Sequence, residues 1–366
     1  MKVGKGLLGL GMVVALTSTA MAGSLSVGGN YFGGYNDVTQ KNAAGAAGNL
    51  SQFDSVANID LNYKVSDKLS GTIQLQAGAG GGGLFDATNT ATITDANFTY
   101  KLDKKGSITM GSFDMPLGLY TSRLTNNAAL SSPLVVNPLM FSALGGKVGT
   151  LNTIGAKYDR KIMDHDVTIA LTNGTDESAA NGDGSLGYVV SMSKDHGKAT
   201  TGLTYIASND TTNGGTGLNA DLTGVIFDLH YDINATSAFR SYYSVLSFGD
   251  NTAATDDQVT TWMVELTCNK GMIQKALRVS SWTPDDSNGG GSGQSSVLPS
   301  PGLATTQGGV AVVTDQTVIR YEVGLGYELD ENVTLVGSYI MDDYAQESSG
   351  EDTDVSAIVV GANVSF

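Results

Sequence analysis

The residues of this chain that could do chemistry are three histidines, one cysteine, several acidic pairs and two glycine-rich runs. A hydrolase of the Ser–His type needs a histidine within reach of a serine and a third polar group to orient it. His165 and His196 fall in predicted short turns, and only His230 points to the polar side of its segment. No serine is tied to His230 by a motif, so it reads as a wall residue. Cys268 stands alone on an apolar alternate, which makes it a small hydrophobe and excludes disulfides and cysteine-cluster metal sites. Asp256-Asp257, Asp285-Asp286 and the group Glu347, Glu351, Asp352, Asp354 lack EF-hand spacing and read as a solvated acidic rim, although such carboxylates could take divalent cations. The glycines from Gly78 to Gly83 and from Gly289 to Gly293 lack the Lys-Ser/Thr of a phosphate-binding loop and read as linkers. No cofactor and no metal is expected.

The elements that would position these residues are strands. Apolar residues alternate with polar ones almost throughout, the period of an extended chain with two different faces. In 317–329, Ile319, Tyr321, Val323, Leu325, Tyr327 and Leu329 share one face and Arg320, Glu322 and Glu328 lie on the other. Sixteen such segments can be counted, at 24–36, 54–65, 69–80, 91–102, 107–114, 149–160, 166–173, 185–194, 198–208, 221–233, 237–249, 258–270, 273–283, 317–329, 332–344 and 354–366. Their connections alternate long and short: 37–53 then 66–68, 81–90 then 103–106, 115–148 then 161–165, and so on through 284–316 then 330–331. Short turns at one end and long loops at the other predict an all-β, 16-stranded antiparallel transmembrane β-barrel, with short periplasmic turns and long external loops.

Other features agree. The six prolines (Pro116, Pro133, Pro138, Pro284, Pro299, Pro301) all fall in two predicted long connections, as a closed sheet requires, because each proline removes a ladder donor. Tyr63, Tyr100, Tyr158, Tyr231 and Tyr327 each stand just before a short turn, as an interfacial aromatic girdle would. No apolar run past the N-terminus is long enough for a membrane helix. Residues 1–22 read as a signal peptide, with Lys2 and Lys5 before an apolar core at 7–16 and Ala20-Met21-Ala22 as a cleavage site. Residues 23–366 then form the barrel, in the bacterial outer membrane. Without Lys2 and Lys5 there are 18 bases against 36 acids, a net charge of −18, which argues against a nucleic-acid partner. A secreted soluble β-protein also alternates, but it would need a second layer over the apolar face of so many strands.

At 107–119 the sequence SITMGSFDMPLGL resembles a stretch of Gram-negative porins, the phosphate-selective group included, through Gly111, Phe113, Asp114, Pro116, Gly118 and Leu119. The resemblance implies a porin, commonly a homotrimer, whose third external loop (115–148) folds inward and narrows the pore. It also implies that the terminal Phe366, with Val364 on the same face, is a signal read by the barrel assembly machinery, and that the partners are outer-membrane lipids, lipopolysaccharide and small solutes or ions. An arginine and lysine ladder of a dedicated phosphate channel is not matched residue by residue.

About eight strands fill their interior with side chains, whereas 16 leave an aqueous channel. The expected inner wall is polar or small, and its charged members are Asp60, Lys64, Asp95, Lys101, Lys157, Asp228, His230, Arg240, Arg278, Arg320 and Glu322. From Met115 through Tyr158 there is no Asp or Glu, where composition would supply about four or five. Arg123 and Lys147 lie in that stretch, so with Asp114 they are the expected constriction residues. The apolar series Leu130, Leu134, Val135, Val136, Leu139, Met140, Phe141 would pack such a loop on the inner wall. The function expected is passive diffusion of small hydrophilic solutes, leaning to anions. The rival is a structural or interaction barrel that sheathes a partner or presents loop 284–316; an enzyme, working through His230, is third.

Overall fold

The computed structural model describes residues 23–41, 47–77, 92–117, 152–172, 186–208, 220–250, 257–285, 316–346 and 353–366. Sixteen strands form one sheet: β1 (Ser24–Lys41), β2 (Ala47–Lys64), β3 (Leu69–Ala77), β4 (Thr92–Lys101), β5 (Gly106–Asp114), β6 (Asn152–Ile162), β7 (His165–Thr172) and β8 (Gly187–Asp195). The second half adds β9 (Ala199–Ser208), β10 (Ala220–Asn234), β11 (Ser237–Asp250), β12 (Asp257–Lys270), β13 (Ile273–Asp285), β14 (Gln316–Asp330), β15 (Val333–Gln346) and β16 (Thr353–Ser365). Each strand pairs antiparallel with its sequence neighbours, and β1 pairs with β16, so the sheet closes without a free edge. Closure satisfies the backbone polar groups that lipid could not.

The alternation read in the sequence becomes an inside and an outside, with the soluble-protein arrangement reversed. On β14, Val323 and Leu325 are each 55% exposed, while Arg320 and Glu322 on the other alternate are each 1% exposed. Val225 and Phe227 on β10, and Ile358 and Val360 on β16, are likewise exposed and outward. Among the described residues no helix is long and apolar enough to cross a membrane.

The short turns are tight because each supplies the backbone it needs. In the turn between β12 and β13, Gly271 takes φ 61°, a left-handed conformation that costs glycine least. Tyr63 reaches from β2 across Gly71 of β3 and donates to the carbonyl of Asn97 on β4 at 3.2 Å. A side chain at position 71 would occupy the space of that tyrosine ring.

Three sequence expectations are corrected. The first long connection is shorter than 37–53, because β1 and β2 stay paired as far as Lys41↔Ala47; polar residues can continue a hairpin beyond the apolar band. Pro284 lies in β13, opposite Val259, and not in a connection. It sits past Trp282↔Val318, the last pair of β13 with β14, so the strand has one neighbour there and tolerates a missing donor. His165 opens β7, paired with Ile162, and is not a turn residue.

Candidate functional site

The inner wall of β10 to β15 carries a chain of ion pairs built by register. Two adjacent rows supply it: His230, Arg240, Glu265, Arg278 and Glu322 lie in one, and Asp228, Tyr242, Met263, Ser280, Arg320 and Asp342 in the next. Arg278 donates to Glu265 through Nε at 2.9 Å and Nη2 at 2.6 Å, and through Nη1 to Glu322 at 3.4 Å. Arg240 donates from Nη1 to the other oxygen of Glu265 at 3.1 Å. Arg320 grips Asp342 with two bonds of 2.7 Å, the fork geometry that favours arginine over lysine. His230 is fixed at both ring nitrogens: Nδ1 accepts from Arg240 Nε at 3.3 Å and Nε2 faces Asp232 Oδ1 at 2.9 Å.

The charges of Arg240, Arg278 and Arg320 cancel those of Glu265, Glu322 and Asp342. The side chains of Arg278, Glu265, Glu322, Arg320 and Asp342 are all at most 3% exposed. Buried charges persist only when paired and hydrogen-bonded, which these are. This part of the wall is a stiff band whose ion-paired charges compensate one another, and the second row adds one further buried acid, Asp228.

The opposite wall is wetter. Gln74 of β3 donates to Asp60 of β2 at 2.6 Å, and Asp95 of β4 lies in the same row, buried. Lys157 of β6 stands 5.6 Å from the centre of the Phe113 ring and 3.8 Å from Asp159. Phe113 and Leu117 are both buried, so the strand that leads into the third loop is anchored at its end.

Toward the short turns the wall opens into a concavity of about 950 Å³ lined by Lys68, Lys101, Lys104, Lys105, Arg160 and Lys161 against Asp67, Asp103, Asp159 and Asp166. Lys64 pairs with Asp67 at 2.7 Å, and that hydrogen bond and charge hold the Asp67 carboxyl below the usual range. The backbone N–H of Lys105 holds Asp103 below it in the same way. Within this concavity bases outnumber acids by two, although Arg160 stands on an outward alternate and the turns elsewhere around the mouth add the inward acids Asp195, Asp232 and Glu328.

The family model described as phosphate-selective porin O and P matches residues 26–271, two thirds of the chain. The chain belongs to that family. A search of curated proteins finds no match. Among solved structures, it is similar to an anion-selective porin from Comamonas acidovorans, with a TM-score of 0.66 at 12% identity over 94% of this chain and 100% of that one. The outer-membrane channel DcaP of Acinetobacter baumannii gives 0.61 at 12% identity, covering 94% of this chain and 97% of that one. A loop L8 deletion mutant of OmpT, an outer-membrane protein of Vibrio cholerae, gives 0.60 at 12% identity over 94% and 100%.

In this porin, the lining expected from the sequence divides into three groups. Asp228, His230, Arg240, Arg278, Arg320 and Glu322 gather in the two rows of β10 to β14, whereas Asp60, Asp95, Lys101 and Lys157 sit on the facing strands and Lys64 turns to Asp67. Arg123 and Lys147 lie outside the described residues. The register puts Asp114 opposite Asn152, at the end of β5. Phe366 exchanges two backbone hydrogen bonds with Gly29, at 3.0 and 3.1 Å, and its ring covers that glycine at the β1–β16 seam.

Sequence reasoning missed Glu265 and Asp342, which complete the ionic band. It also expected a wall of polar or small residues, yet Val189, Ile206, Ile226, Leu246, Met263 and Ile340 face inward and are at most 2% exposed. Those side chains share alternates with the polar lining: Val189, Ile206, Ile226 and Leu246 form a lipophilic strip on the long-connection side of the ionic rows, and Met263 and Ile340 lie within those rows. Among the described residues no cluster of three metal-ligating side chains occurs.

Proposed function

We propose that this porin passes small hydrophilic solutes and ions across the bacterial outer membrane by passive diffusion, with a lean to anions. The observation that carries the channel reading is the closed 16-stranded barrel itself, apolar outside and ion-paired within. The lean to anions is supported by the excess of bases in the short-turn concavity and by the ion pairs of the band, whose charges cancel one another and leave other groups to set selectivity. Arg123 and Lys147, the only charges in 115–148, are the groups we assign to that role. The apolar strip on the inner wall supports an inward-folded third loop, since Leu134, Val135, Val136 and Leu139 could cover it. Among the described residues both ring nitrogens of His230 are engaged by Arg240 and Asp232, and neither contacts a serine, which supports a non-enzymic reading.

The working protein in this account is a homotrimer freed of residues 1–22 by signal cleavage. Its short turns face the periplasm, lipopolysaccharide and outer-membrane lipids surround it, and the barrel assembly machinery inserts it by reading Phe366 and Val364.

Reversal potential in a salt gradient across a planar bilayer tests the selectivity. Rim carboxylates are screened within about 8–10 Å at ordinary salt, whereas charge in a narrow constriction is screened less. Weak anion preference or near-neutrality is expected at high salt, drifting toward cations as salt is lowered. Arg123→Glu should shift the high-salt value toward cations. A strongly cation-selective wild type that Arg123→Glu leaves unchanged would assign the constriction to wall carboxylates such as Asp60, Asp95 and Glu322 instead.

A further inference from the structure

The outer face of the barrel concentrates positive charge near the short turns. Near the short turns, four bases stand on outward strand positions, Arg160 (β6), Lys194 (β8), Lys270 (β12) and Lys275 (β13), each on the same alternate as exposed apolar neighbours such as Ile162, Met192, Leu266 and Leu277, against one acid, Asp330, which the β14 bulge sets opposite Val333. The other strand acids at that level, Asp159, Asp166, Asp195, Asp232 and Glu328, occupy inward alternates. At the long-connection end the outward alternates carry Asp37 and Asp343.

We propose that the short-turn rim is a docking ring for anionic phospholipid headgroups of the leaflet that meets it. Girdle tyrosines mark the level at which headgroups lie, and the four bases stand at or just beyond it. Arg160 donates to its girdle neighbour Tyr158 at 3.0 Å, which holds the guanidinium along the interface. Asp103 approaches Arg160 at 3.6 Å but is half-exposed, and the fork has further donors for a phosphate. Lys194, Lys270 and Lys275 make no ion pair among the described residues, and Lys270 and Lys275 stand on adjacent strands, so two sectors of the rim each offer paired positive charge: β6 to β8 and β12 to β13. A flexible basic stem can lie along the acyl region while its head meets a phosphate. Each basic residue at an anionic surface contributes about 1 kcal/mol, a factor of about five.

The test uses the full porin reconstituted in phosphatidylcholine bilayers with spin-labelled phosphatidylglycerol or spin-labelled phosphatidylcholine, comparing the motionally restricted fractions by electron paramagnetic resonance. Wild type should prefer phosphatidylglycerol by about threefold or more, with the preference falling at high salt. A variant with Arg160, Lys194, Lys270 and Lys275 changed to Gln should lose that preference, while keeping the heat-dependent gel shift of a folded barrel. The matching change of turn residues Lys68, Lys104 and Lys105 to Gln should leave it in place. An equal restriction of both lipids by wild type overturns the proposal, as does a preference lost with the turn lysines but kept by the four-residue variant. Conductance of the same vesicles separates a failed docking ring from a failed channel, because the ring requires only that the outer face meet lipid.

Discussion

Arg278 stands between two carboxylates that would repel each other without it. Removing one partner of a buried pair costs about 3–5 kcal/mol, because the remaining charge cannot reach water. Arg278→Met should therefore lower the temperature at which the compact, unboiled band is lost. Arg240→Met should act less, since its side chain is 20% exposed and Glu265 keeps Arg278. Equal shifts from the two variants would mean that burial does not set the strength of the band. Arg278, Arg320 and Glu322 were legible as inward residues from alternation alone. Their partners needed register. Counting back from the turn at 271–272 sets Glu265 opposite Arg278, a signal available in the sequence. The same count from 331–332 fails for Asp342, because a bulge between Glu328 and Asp330 shifts the register by one and a regular hairpin would have set Arg320 opposite Asp343.

At the scale of elements, sixteen strands were legible because lipid on one face and polar groups on the other enforce a clean period of two over each span. What was lost lay where that contrast fades. β1 and β2 run beyond the apolar band as polar hairpin, and β13 carries Pro284 where one neighbour has already ended. The apolar strip inside the barrel escaped for the same reason: Ile226 and Leu246 lie on alternates shared with Asp228 and Arg240, and alternation cannot tell a lining residue from a packed one. The seam between β1 and β16 makes a sharper prediction. The Phe366 ring lies on Gly29 and its backbone closes the last pair, so Phe366→Ala should lower the folded yield in the outer-membrane fraction and weaken resistance to detergent. Trp or Tyr at 366 should largely restore both. Normal yield and resistance in Phe366→Ala would leave the ring no part in closing the barrel.

The whole molecule joins a buried band of ion pairs, a basic concavity at the short-turn mouth and outward bases near the short turns in a chain of net charge −16. Overall charge alone points to a cation channel, while the local arrangement points away from one; proximity decides, because a charge within a narrow low-dielectric passage is screened least. All of this rests on the barrel being open to water without help from another chain, which distinguishes a diffusion channel from a sheath around a partner. The direct measurement is the current across a planar bilayer to which only the purified chain has been added. Discrete upward steps should appear, with a conductance that rises with salt concentration and ions of both signs carrying current. Verified insertion of folded protein with no steps at any salt concentration would contradict the account.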